Sequence, residues 1–189
     1  MKHKLLAVVS LMLLIVLMLA CSLSAGTATP ASSPTDSNSP TSDGAQAPNW
    51  GQRTKTTGCQ AVGVLPDPAC TPGDILPEAT KAKICVSGYS TTVRDVPESE
   101  KQAVYKEYGI KTHTSGEYEV DHFVSLELGG SNDISNLWPE PAAPKPGFHE
   151  KDKVENYLHD QVCSGAMTLK DAQIKIATNW LDVYNSISQ

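Results

Sequence analysis

The residues that could do chemistry stand in a fixed order in the second half of the chain. Asp121 is directly followed by His122, then come Gly129-Gly130, Asn136-Leu137 and His149, with Lys151 two residues further on. A carboxylate beside an imidazole, with an amide and a second imidazole downstream, defines a chemistry. An imidazole is neutral near pH 7 and can take a proton from water. Asp offers a hard anionic oxygen and His a borderline nitrogen, and two such ligands leave a divalent cation open positions for phosphate and water. Lys151 can grip a phosphate or, equally, be a solvated helix charge, whereas for Lys153 the solvated helix charge is the favoured reading. Asn132 competes with Asn136 for the place of the asparagine in the series. His113 and His159 read as surface residues. Glu119 and Glu127 read as supporting carboxylates or as solvent-facing strand positions. A lone Asp-His pair is common; the ordered residues after it give it weight.

These groups need elements to hold them. Tyr118 to Val124 is β-rich and alternating, with Tyr118, Val120 and His122 on one face and Glu119, Asp121 and Phe123 on the other. Ser125 to Leu128 continues or pairs with that strand, and Gly129-Gly130-Ser131-Asn132-Asp133 is a loop. Asn136-Leu137-Trp138 leads into a bend through Pro139, Pro141, Pro144 and Pro146. Val154, Leu158 and Val162 at four-residue spacing predict a helix from about Phe148 to Cys163, stopped by Ser164-Gly165. Thr168 to Asp171 resembles a capping box that opens a last helix with a stripe of Leu169, Ala172, Ile176, Trp180, Val183 and Ile187. Upstream, Ile84 to Val93 includes a short strand and Glu98 to Tyr108 is a helix ended by Gly109. Trp138 and Trp180 are core residues.

Asp121-His122-Phe123-Val124-Ser125-Leu126-Glu127-Leu128-Gly129-Gly130, then Asn136-Leu137-Trp138-Pro139-Glu140-Pro141, then His149-Glu150-Lys151-Asp152-Lys153-Val154-Glu155, resembles the motif series of the HNH (ββα-metal) endonuclease family, in particular its small exported bacterial members. The likeness runs over most of Cys85 to Trp180. It departs in a longer Pro-rich insert before the helix and in His149, where this group often has Asn. The resemblance implies His122 as the general base, Asp121 and His149 as ligands of one divalent metal ion, and Asn136 as the residue that orients the loop and His122. Mg²⁺, Mn²⁺ or Zn²⁺ can serve. Phosphodiester hydrolysis needs an activated water and stabilised negative charge on the phosphorane and leaving oxygen, which such a centre supplies.

The N-terminus points to export. Lys2, His3 and Lys4 precede an apolar run from Leu5 to Ala20, the form of a secretory signal and short for a permanent membrane anchor. Leu17-Met18-Leu19-Ala20-Cys21 resembles the bacterial lipobox, which implies cleavage before Cys21 and its acylation; cleavage at an ordinary signal site, or an uncleaved short anchor, is the alternative. From Ser22 to about Asn49 the chain is mostly Ser, Thr, Pro, Ala, Gly and Asp, with Leu23 the only large aliphatic residue, and has too little apolar surface to order it. Five cysteines less Cys21 leave Cys59, Cys70, Cys85 and Cys163, an even set that reads as two disulfides in an exported domain. Of the three possible pairings we favour Cys59 with Cys70, closing a local loop, and Cys85 with Cys163, tying the domain's start to a late helix. No CxxC pair argues for zinc held by cysteine.

Charge limits the reading. The chain has 21 acidic and 15 basic residues, and removal of Lys2 and Lys4 with the signal leaves a net charge of −8. A general, tightly binding nucleic-acid surface is basic, so contact with nucleic acid here is local. The expected fold is α+β, with a ββα-metal core, additional helices and a disulfide-stapled N-terminal extension. Residues 1–20 form the signal, 21–54 a disordered tether and 55–189 the nuclease domain. The expected activity is metal-dependent hydrolysis of DNA, or RNA, without sequence preference, outside the cytoplasm, on a lipid-anchored or secreted protein. The expected partners are the nucleic-acid substrate and, through the lipid anchor, the membrane, with no obligate protein partner evident. The rival is a non-catalytic surface lipoprotein that uses the same scaffold for binding.

Overall fold

The computed structural model describes residues 46–189. The segments expected to be the signal, the acylation site at Cys21 and most of the tether lie outside the described residues. The elements run α1 (Lys81–Ile84), α2 (Tyr89–Val93), α3 (Glu98–Glu107), β1 (Tyr118–His122), β2 (Leu137–Pro141), α4 (Phe148–Ser164) and α5 (Leu169–Ile187). β1 and β2 form a two-stranded antiparallel sheet with Asp121 opposite Trp138 and Glu119 opposite Glu140. The class is α+β, and the order strand, strand, helix brings the strand end at His122 against the start of α4.

Local chemistry accounts for the helix ends. α3 starts after Pro97, carries Glu98 and Glu100 in its first turn and is followed by Gly109 at φ 73°, which suits the helix dipole and a left-handed stop. At α4 the Glu150 carboxylate reaches back to accept from the Gly147 N–H at 3.0 Å. The Thr168 hydroxyl accepts from the Asp171 N–H at 3.1 Å and opens α5. A two-stranded sheet is marginal alone. The apolar stripes of α4 and α5 supply what it lacks, and Val124, Leu128, Trp138, Val154, Leu158, Val162, Ala172, Ile176 and Trp180 close into one buried cluster.

Both favoured disulfides are present. Cys59–Cys70 bridges residues 11 apart and Cys85–Cys163 residues 78 apart. They place the folded domain in an oxidising, extracytoplasmic environment. No helix among the described residues is long and apolar enough to cross a membrane.

Three expectations are revised. Ile84 to Val93 holds no strand; it is the end of α1, a turn and the short helix α2. Ser125 to Leu128 does not extend the sheet but turns into a 3-10 helix over Leu126–Leu128, with the Ser125 hydroxyl accepting from the Glu127 N–H at 3.2 Å. That turn is fixed by Gly130, where an added Cβ would fall inside the Val124 carbonyl. The fold also begins before residue 55. The Gly51 N–H bonds to the Gly73 carbonyl at 2.8 Å, the Thr54 N–H to the Ala69 carbonyl at 2.9 Å, and Arg53 pairs with Glu107. Trp50 packs on the core, so the tether ends near Asn49.

Candidate active site at the Asp121-His122 strand end

Side chains alternate along β1. Asp121, with Glu119 and the cross-strand Glu140, turns toward α4, and the His122 ring turns toward the loop that carries Asn132. Both residues are buried, His122 to 1% exposure. The two faces have different electrostatics.

On the α4 side, Lys151 is fully buried and its ammonium donates to Asp121 Oδ2 at 2.6 Å, to the His122 carbonyl at 2.9 Å and to Glu155. Glu140 Oε2 lies 3.8 Å away. A lone buried ammonium would be expelled or neutralised. Here the surrounding carboxylates outweigh desolvation and hold Lys151 charged, well above its ordinary range. The same ammonium offsets the desolvation of Asp121 and keeps that carboxyl low and ionised. Glu140, buried beside Asp121, is pushed well above the usual range. Both of its carboxyl oxygens are buried and without a hydrogen-bond partner among the described residues. Burial raises Glu155 to about 7 against the pull of Lys151, while its Oε2 accepts from Ser125 Oγ at 2.8 Å. Lys151 is thus enclosed by carboxylates and turned away from solvent. The reading of Lys151 as a phosphate grip is corrected: its ammonium fixes Asp121 and the His122 backbone instead.

On the other face, His122 Nε2 meets Asn132 Oδ1 at 3.1 Å. The tautomer follows from the neighbours. Asn132 Nδ2 donates to the Val93 carbonyl at 2.7 Å, and Oδ1 accepts from the Asp95 N–H at 3.1 Å. Oδ1 is therefore the acceptor for His122, and Nε2 carries the ring proton. Nδ1 is left with its lone pair, buried and without a hydrogen-bond partner among the described residues. Burial pushes the ring down to about 4, although Asp121 and Asn132 both favour the protonated form. His122 is neutral at pH 7.

Asn136 is fully buried and bonded at four points, none of them to His122. Its Oδ1 accepts from the Val124 N–H at 2.8 Å and the Asp74 N–H at 3.2 Å, and its Nδ2 donates to the carbonyls of Ser131 at 2.8 Å and Val124 at 3.0 Å. From the 3-10 turn Ile134–Asn136 that leads into β2, it holds together Val124 after β1, the Ser131 loop and the segment at Asp74. Asn132, the competing asparagine, is the one that touches His122.

His149 lies in the first turn of α4, exposed, with its ring 4.3 Å from that of Phe148. Among the described residues, the one set of three His, Cys, Asp or Glu side chains close enough to enclose an ion is Cys85, His159 and Cys163, whose ligand atoms lie within 4.8 Å and whose two sulfurs are already bonded to each other. Asp121 and His149 do not form a closed cage. They share a rim with Asp152, whose carboxyl is raised by burial and by the Asp121 charge and lowered by His149. Glu119 is raised in the same way by burial and then by Asp121 and Asp152. Hard carboxylate oxygens on an open rim suit a divalent cation that keeps most of its water. They do not fit a closed zinc site.

Glu140 and Glu155 fall within the motif series but carry no assigned role there. The i,i+4 spacing of Lys151 and Glu155 is the one pattern that hints at the buried pair. Comparison of the chain with protein-family models, with curated proteins and with solved structures returns no match.

Proposed function

We propose that the protein is an extracytoplasmic HNH-type nuclease that hydrolyses phosphodiester bonds of DNA, or RNA, with one divalent cation at Asp121 and His149. The observation that carries this reading is the state of His122: neutral, held through Nε2–H by Asn132, with a buried Nδ1 that has no hydrogen-bond partner among the described residues, and next in sequence to a buried, ionised Asp121. A satisfied structural histidine has no reason to keep an open acceptor.

His122 Nδ1 takes the proton of the attacking water as oxygen closes on phosphorus. The imidazolium so formed is stabilised by Asp121 and by the Asn132 carbonyl oxygen, the two groups that raise its proton affinity. Lys151 holds Asp121 ionised and the His122 backbone in place. Asp121 and His149 would hold the cation, with Mg²⁺ or Mn²⁺ matching the oxygen-rich rim, and it would supply positive charge for the phosphorane and leaving oxygen. Cys21 acylation ties the domain to the membrane across the tether. The acidic balance of the chain favours the rival reading, a non-catalytic surface lipoprotein, but that reading leaves the open His122 nitrogen unused.

Incubation of the full-length protein with supercoiled plasmid and Mg²⁺ or Mn²⁺ tests the proposal. Nicking is expected, abolished by EDTA and by His122→Ala. Absence of nicking with every cation, or nicking undiminished in His122→Ala, contradicts it.

A further inference from the structure

With Lys151 enclosed by carboxylates, the proposed reaction lacks a cationic side chain to receive the substrate's phosphate. Two cations act on the His122 ring, Lys151 and Arg94, and Arg94 is the exposed one. Its charge also acts on Glu119 at the rim. No carboxylate among the described residues pairs with it at salt-bridge distance.

The backbone around Arg94 is pinned to the site by one side chain. Asn132 donates to the carbonyl of Val93, accepts from the N–H of Asp95 and accepts from Nε2–H of His122. Arg94 therefore sits between two residues that hang on the amide holding the candidate base. Its own N–H closes α2 on the Ser90 carbonyl at 3.1 Å, and its φ of −68° and ψ of 119° take the chain out of the helix at this point. The backbone at Arg94 is thereby fixed to the active-site asparagine, and its exposed guanidinium has no carboxylate partner among the described residues.

We infer that Arg94 is the phosphate-binding residue of the site, receiving the backbone phosphate of a nucleic-acid strand in the place that the enclosed Lys151 does not fill. The guanidinium fork matches two phosphate oxygens. A single positioned cation also answers how an acidic protein touches a polyanion: the contact is local and sensitive to salt. The inference rests on the nuclease reading for its substrate but on its own geometry for the anion site.

Binding of a fluorescein-labelled single-stranded oligonucleotide by the full-length protein, across a range of salt concentrations, tests it. His122→Ala serves as the reference, so that cleavage does not intrude. Adding Arg94→Ala is expected to weaken binding about ten-fold, the scale of one charge-assisted contact, and to flatten the dependence of log K on log salt by about the 0.7 that one single-strand phosphate contact contributes. Arg94→Lys should recover part of the affinity and all of the slope. Thermal melting of the Arg94 variants separates loss of the contact from loss of the fold. Equal affinity and slope with and without Arg94, or no binding by the reference protein, overturns the inference. Arg94-dependent binding by a wild-type protein that cleaves nothing leaves the anion site standing and removes the nuclease reading.

Discussion

At the scale of single residues the site depends on how charge is buried. Lys151 is charged because Asp121 and Glu155 surround it, and Asp121 is ionised because Lys151 touches it. Removing one partner of such a set leaves the others buried and unpaired. Lys151→Met is therefore expected to lower unfolding stability by about 3 to 5 kcal/mol in urea titration; a loss under about 1 kcal/mol would show that the carboxylates find water instead. His122 gives a second test. Its folded value of about 4 lies below the unfolded value near 6.5. The folded state holds the ring neutral, so stability from this group is complete above 6.5 and is lost as pH falls through 4. Nitrogen NMR of the metal-free protein should show Nε2 protonated and Nδ1 unprotonated from pH 7.5 to 5. A midpoint near 6.5 would mean that the ring is solvated and not held as described.

At the scale of elements, the sequence pattern revealed more of the frame than of the contacts. The stripes of α4 and α5 and the alternation of β1 were legible because each repeats one burial rule over several turns or residues. The Ser125 to Leu128 turn was not, because its apolar Leu126 and Leu128 fit a strand period as well as a 3-10 turn, and the choice is made by the tight approach of Gly130 to Val124. Lys151 was misread for a similar reason. A lysine in the first turns of a helix looks solvated until Glu140, from a strand, and Glu155, from the next turn, close over it. Asn132 and Asn136 are both loop asparagines by sequence, and three-dimensional partners separate their roles. The cysteine pairings are open among three by sequence, and the structure selects the favoured one. The Cys85–Cys163 bridge ties the end of α1 to α4, and closing a 78-residue separation contributes on the order of 4.5 kcal/mol in the chain-entropy account. Cys85→Ser with Cys163→Ser is expected to lower the unfolding free energy by about 3 to 4 kcal/mol, while Cys59→Ser with Cys70→Ser, with a separation of 11, costs less. Equal losses would show that strain or residual structure, not loop length, governs both.

At the scale of the whole molecule, an acidic, disulfide-tied domain at the end of a polar tether presents one buried imidazole with an open nitrogen and one exposed guanidinium beside it. Under the proposed function such a protein acts on nucleic acid by local contact and not by a basic surface, so its binding should weaken only shallowly with salt, with a slope of about 0.7 per single-strand phosphate contact. The central claim is that Nδ1 of His122 takes the proton from water. Because the ring is almost wholly buried, His122→Gly leaves a space of imidazole size, so the missing base can be supplied from solution. The most direct measurement is the single-turnover rate of plasmid nicking by His122→Gly with Mg²⁺ or Mn²⁺ as free imidazole is titrated in. A rate reduced at least about 100-fold without imidazole, rising with the concentration of its neutral form, is the predicted result. Nicking by His122→Gly at the wild-type rate with no imidazole present would contradict the account.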